Sequence, residues 1–180
     1  LIKNSEFNDA INLAQKAYEF GIDALIVQDL GLARYLIKNF PDMPIHGSTQ
    51  MSIHNLEGVL ELQDLGFKRV VLARELSLKQ IKEIHDANPN LELEAFVHGA
   101  LCVSYSGQCY LSQYIGGRSA NRGECAQPCR KKYSVETVDG KIIAKDIYAL
   151  CLKDFNASNR LKDMIDAGVY SFKIEGRLKD

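Results

Sequence analysis

Four cysteines, Cys102, Cys109, Cys125 and Cys129, crowd into one stretch of the chain at the spacing C-x6-C-x15-C-x3-C. Thiolates suit soft or borderline metals, so a set of four points to zinc or to an iron–sulfur cluster. Ligation ranks ahead of two disulfides or unrelated buried thiols, because nothing in the sequence marks secretion. Structural zinc usually brings cysteines in close pairs, and Cys125 with Cys129 is the one pair of that kind. The wider spacing of the others leans toward [4Fe–4S]. Cys151 stands apart, in an apolar stretch read as helix, and is assigned to the core.

Cations surround this constellation. From Arg118 to Lys132 there are five (Arg118, Arg122, Arg130, Lys131 and Lys132) against one acid, Glu124. Tyr105, Tyr110, Tyr114 and Tyr133 lie among or near them. Aromatics interleaved with cations stack bases and hold phosphates, which makes RNA a candidate partner. The competing reading is a solvated loop whose tyrosines pack over their own insertion. His98 lies four residues before Cys102, so a Cys–His nucleophile for a peptide substrate is the rival chemistry. A G-x-S-x-G elbow and an H-E-x-x-H helix are both missing.

The elements that must position these residues alternate with a regular pitch. Glu6 to Phe20, Leu30 to Phe40, Asn55 to Leu65 and Ser77 to Asn88 read as helices. Ile22 to Val27, Pro44 to Gln50, Arg69 to Arg74 and Leu91 to Val97 read as buried strands. A strand, a helix and two short loops recur every twenty-odd residues, the pattern of parallel strands with helical crossovers. No Gly-rich phosphate fingerprint follows the first strand, so an incomplete (β/α)8 TIM-type barrel is preferred to an open doubly wound sheet. Residues 1–97 would supply its first repeats, 98–146 a four-Cys insertion with a hairpin turning at Asp139-Gly140, and 147–180 a returning helix and strand.

Barrel chemistry is done at the C-terminal ends of strands. Those ends carry Gln28 and Asp29, Ser48 to Gln50, Arg74 and Glu75, His98, Glu175 and Arg177. We take His98, Glu175 and Arg177 as catalytic candidates, and Gln50, Arg74, Arg118, Arg122 and Arg130 as substrate-binding ones. Each competes with a plainer role as a loop polar group or helix cap. His46 and His54 read as structural, and His85 as solvated on a helix's polar face.

The 180 residues, with 22 Lys+Arg against 23 Asp+Glu and 46% apolar content, describe one globular domain and exclude a disordered chain or a disulfide scaffold. No apolar run is long enough to span a bilayer, so no membrane partner is expected. The opening residues Leu1 to Phe7 lack a starting Met and a signal core, so the chain reads as cytoplasmic and as a piece of something longer. An exposed barrel edge would invite self-association.

One stretch also carries a resemblance. Glu94-Ala95-Phe96-Val97-His98-Gly99-Ala100-Leu101-Cys102, followed by Gly107-Gln108-Cys109-Tyr110-Leu111-Ser112, resembles the signature of the U32 peptidase family, E-x-F-x2-G-[SA]-[LIVM]-C-x4-G-x-C-x-[LIVM]-S. Asn121 to Arg130, Lys173 to Arg177 and His46 to Gln50 are similar to other segments of that family. The resemblance implies two chemistries. One is the collagenase-like peptidase of the family name. The other is oxygen-independent hydroxylation of tRNA or rRNA bases or in ubiquinone synthesis, with a [4Fe–4S] cluster on Cys102, Cys109, Cys125 and Cys129 and prephenate as oxygen source. A non-catalytic, zinc-stabilised binding module is the third reading.

Overall fold

Three of the helices begin where a side chain takes an orphan backbone N–H. The computed structural model, which describes residues 1–176, opens with α1 (Phe7–Glu19) and strand β1 (Leu25–Val27). Asp29 then caps α2 (Leu30–Asn39) by accepting from the Leu32 N–H at 2.9 Å. β2 (Ile45–Gly47) leads to α3 (Leu56–Asp64), capped by Asn55, and β3 (Arg69–Val71) to α4 (Leu78–Ala87), where Ser77 and Gln80 form a capping box. β4 (Glu92–Gly99) closes this series.

The strands β1, β2, β3 and β4 pair in chain order, all parallel. β8 (Val169–Glu175) pairs parallel along the other edge of β4. Among the described residues the sheet does not close into a barrel, and β1 and β8 each keep one edge without a strand. The architecture is α/β with a parallel sheet, as the alternating pattern requires.

Between β4 and β8 lie α5 (Leu111–Gly116), a hairpin of β5 (Tyr133–Glu136) and β6 (Ile142–Ile147), a short strand β7 (Phe155–Asn156), and α6 (Leu161–Asp166). The hairpin turns where Asp139-Gly140 indicates, with the Gly140 N–H on the Thr137 carbonyl. β7 was not foreseen. It runs antiparallel to the end of β4, where His98 pairs with Asn156 on one side and Ile174 on the other. β3 is too short to cover that edge, and β7 supplies the missing partners.

Two expectations are corrected. Cys151 is not in a helix: the Tyr148 carbonyl takes its N–H in a tight turn, and the residue sits half-buried in a loop between β6 and β7. His85 is not merely solvated either, because its ring packs against Gly168 and its Nδ1 is buried without a partner. No helix among the described residues is long and apolar enough to cross a membrane.

Strand alternation divides the sheet into two faces. Leu25, Val27, Ile45, Val70, Leu93, Ala95, Val97 and Val169 face the helices, where they join Leu36, Val59, Leu62, Ile81, Ile84 and Met164 in one apolar core. Leu93 is 0% exposed there. Replacing Leu93 with Ala should lower unfolding stability by about 2–5 kcal/mol in urea titration, through lost burial and the cavity left behind. Lys79→Gln, at a side chain that is 86% exposed, should stay within about 0.5 kcal/mol.

Candidate functional site

The other face of the sheet is polar, and its rows follow from strand register. His46 lies opposite Arg69 and Arg69 opposite Glu92; one row up, Val71 faces Glu94 and Glu94 faces Ser171; above that, Phe96 faces Lys173. Arg69 donates to Glu92 through Nε at 2.8 Å and pairs with Glu94 at 3.3 Å. Lys173 Nζ lies 3.2 Å from Glu94, which also accepts from Ser171 at 3.0 Å. Burial pushes the Glu94 carboxyl up, but the Lys173 charge and the bonds from Ser171, Lys173 and Arg69 outweigh it and hold the group below its ordinary value. Burial, followed by the charge of Arg69, lowers His46 and keeps it neutral near pH 7.

At the C-terminal strand ends these rows finish in an ion pair, Arg74 Nη2 to Glu175 Oε2 at 2.6 Å. The Arg74 guanidinium lies 4.1 Å over the centre of the Phe96 ring. Its Nε is buried and has no partner among the described residues. Gly99 stands beside this pair at φ +128°, and a Cβ there would strike the backbone carbonyl of Glu175. Only glycine permits that approach of β4 to β8. A cavity of about 530 Å3, lined by Leu72, Arg74, Phe96, Phe155 and Arg160 among others, opens next to it.

The four-cysteine segment is fastened across these strand ends. Ser52 donates from Oγ to the Ser106 carbonyl at 2.6 Å, and Gln108 donates to Ser52 Oγ at 2.8 Å. The Arg74 N–H bonds to Ser106 Oγ, and the Ser106 N–H bonds to the Glu75 carboxylate at 2.9 Å. Gly107, at φ +76°, lies so near the Gln50 carbonyl that a Cβ would collide with it. These contacts fix the loop that carries Cys102 and Cys109. Farther along, Ser112 Oγ, 1% exposed as a residue, takes the Ala126 N–H at 2.8 Å and ties α5 to the turn that holds Cys125.

All five cysteines are free thiols. Burial pushes the Cys129 thiol up; the Arg130 charge opposes this, while Cys102, Cys125 and Cys109 add to the rise. Four thiols from three segments therefore share one electrostatic neighbourhood. Among the described residues, no three His, Cys, Asp or Glu side chains are placed to grip a single ion. The Gln127 N–H points to Cys125 Sγ at 3.4 Å.

The remaining sequence candidates divide by what occupies them. Arg74, Glu175 and His98 come together at the strand ends, with His98 exposed. Gln50 and Glu75 serve the loop, Asp29 caps α2, and Ser48 caps a turn by accepting from the Gln50 N–H. Arg118 is exposed and donates to the Glu124 carbonyl. Arg122 grips Glu6 with both Nη atoms, at 2.7 and 3.0 Å. Arg130 spends its guanidinium on internal acceptors. Arg177 lies outside the described residues. Sequence reasoning missed Ser52, Ser106 and Gln108 as fastenings, although Ser106-Gly107 is a turn-forming dipeptide.

The Arg122 hydrogen bonds, then that from the Lys3 N–H, hold the Glu6 carboxyl at about 2 instead of 4.5. Because the folded value is depressed, this clamp contributes fully above the unfolded pKa and is lost as pH falls toward 2. NMR titration of the Glu6 carboxyl should give a midpoint near 2, and Arg122→Gln should return it toward 4.5.

Comparison with known proteins gives three instructive relatives. The chain is 46% identical over 180 residues to the 23S rRNA 5-hydroxycytidine C2501 synthase of Escherichia coli, covering 100% of this chain and 27% of that protein. It is 45% identical over 133 residues to tRNA hydroxylation protein P of the same organism, covering 74% of this chain and 29% of the relative. An uncharacterized protease of Methanocaldococcus jannaschii is 40% identical over 188 residues, covering 100% of this chain and 44% of that protein. The chain thus spans less than half the length of these relatives. The family model described as peptidase family U32 matches residues 1–180, and the chain belongs to that family.

Proposed function

We propose that this chain is the cluster-bearing part of an RNA hydroxylation enzyme of the cytoplasm, with a [4Fe–4S] centre on Cys102, Cys109, Cys125 and Cys129. What supports the reading is the donor set itself: four free thiols in one loop segment fastened to the strand ends, with Cys102, Cys109 and Cys125 each acting electrostatically on Cys129. One zinc ion would require sulfurs about 4 Å apart, given a Zn–S distance near 2.3 Å. A four-iron cube sets its thiolates farther apart, and the wide C-x6-C-x15-C-x3-C spacing leans the same way. When bound, such a cluster supplies one-electron chemistry or a Lewis-acidic iron. Two relatives that match this chain at 45% identity or more are named for hydroxylation of rRNA or tRNA.

The protein's own groups have separable tasks in this reading. Arg74 and Lys173 flank Phe96 on the polar face and would orient an anionic co-substrate, prephenate by family resemblance. The neighbouring cavity of about 530 Å3 has the size of a small-molecule site. Arg118, Lys131 and Lys132 remain exposed near the thiols and are suited to phosphates. His98 and Glu175 would hold or move a proton at the strand ends. The sheet, with consecutive parallel strands in chain order, is read as an arc of a (β/α)8 barrel.

The peptidase reading draws on the 40% identical relative named as a protease. Against it, no thiol bonds a histidine among the described residues, so a nucleophile–base pair is not assembled. Anaerobically isolated intact protein should contain about four irons with matching labile sulfide per chain, and Cys125→Ala should remove both. RNA from cells lacking the protein should lose one hydroxylated base. A single zinc, or metal-free gelatin cleavage that disappears in Cys102→Ser, would overturn the proposal.

A further inference from the structure

Arg130 follows Cys129 directly, at the end of the 3-10 turn Pro128–Arg130. Its Nη2 donates to the Leu101 carbonyl at 2.6 Å, and Leu101 immediately precedes Cys102. Its Nη1 donates to the Leu152 carbonyl at 2.8 Å and to Cys151 Sγ at 2.9 Å. One planar guanidinium therefore joins three segments distant in sequence. The Tyr133 hydroxyl braces the same turn by donating to the Pro128 carbonyl at 2.8 Å. The flanking cations differ: Lys131 and Lys132 are exposed, and Arg118 makes one bond to a nearby carbonyl.

We infer that Arg130 is a positioning residue for the four-cysteine centre, fixing the backbone beside Cys102 in one frame with Cys129, and is not a contact for RNA phosphate. The inference rests on the four-cysteine reading above. A guanidinium suits the task because its rigid fork reaches acceptors in fixed directions, whereas an ammonium presents a point charge on a flexible stem. Its charge also lies beside a centre that carries negative charge when its thiolates are ligated, which favours the more reduced state.

The two contributions separate experimentally in the intact protein, isolated without oxygen. Iron loss to a ferrous chelator and the midpoint potential of the cluster would be measured for wild type, Arg130→Lys, Arg130→Gln and Cys151→Ser. Loss of an outer-shell partner typically costs about 10–100-fold in metal affinity, so both Arg130 variants should release iron faster by that order. Arg130→Gln should also shift the potential negative, while Arg130→Lys, which keeps the charge, should stay near wild type. Cys151→Ser retains both carbonyl bonds and should behave as wild type in both measurements. If Arg130→Gln does not accumulate as folded protein, the Arg130→Lys release ratio carries the test. Wild type holding iron while neither Arg130 variant releases it faster would overturn this inference alone. Cys151→Ser releasing iron as fast as the Arg130 variants would assign the hold to the thiol and overturn it too. Wild type without iron would overturn the four-cysteine reading and this inference together.

Discussion

Almost everything at the site depends on strand β4 being paired on both edges while alternating between two environments. Leu93, Ala95 and Val97 enter the apolar layer under the helices, and Glu92, Glu94, Phe96 and His98 lie on the opposite face. A register slip of one residue would drive two carboxylates into the core, so the pairing is strongly specified. β8 locks the arrangement from the side where Gly99 meets the Glu175 backbone. The ion pair from Arg74 to Glu175 forms because those two strand ends are held at that separation.

Several fixed positions of the family signature acquire physical reasons in this setting. Glu94 collects Arg69, Ser171 and Lys173; Phe96 lies beneath the Arg74 guanidinium; Gly99 and Gly107 admit carbonyls that no side chain would tolerate. Ser112 spans the gap between the first and second halves of the cysteine segment. The signature is therefore largely a description of how a loop is secured to a sheet. The fastening bonds come from backbone groups and polar side chains.

The alternation of helix and strand was readable because α2, α3 and α4 each have an apolar stripe with a polar cap, and β1 to β4 each carry a short apolar run. β7 was not readable: two residues have no period, and their role is set by an edge of β4 that β3 leaves uncovered. Cys151 misled for a related reason, since apolar neighbours alone do not distinguish a helix from a turn closed by the Tyr148 carbonyl. At the site, the four cysteines and the strand-end residues Arg74 and Glu175 were visible from type and position. The tasks of the arginines were not. Arg118, Arg122 and Arg130 are alike in sequence, yet one is exposed and the other two are committed to Glu6 and to the Leu101 and Leu152 carbonyls. Only three-dimensional proximity to an acceptor separates them.

The parallel pairing of β4 with β8 encloses the whole cysteine segment within one long loop of the chain. Chain entropy makes such a distant closure slow, whereas the βα units before it can form from nearby contacts. During synthesis, the first four strands can associate while the cysteines are emerging, but the seat beneath them is finished only after Glu175 has been made. A nascent chain that has passed the cysteines but not yet reached β8 therefore exposes them without the floor that the β4–β8 pairing provides.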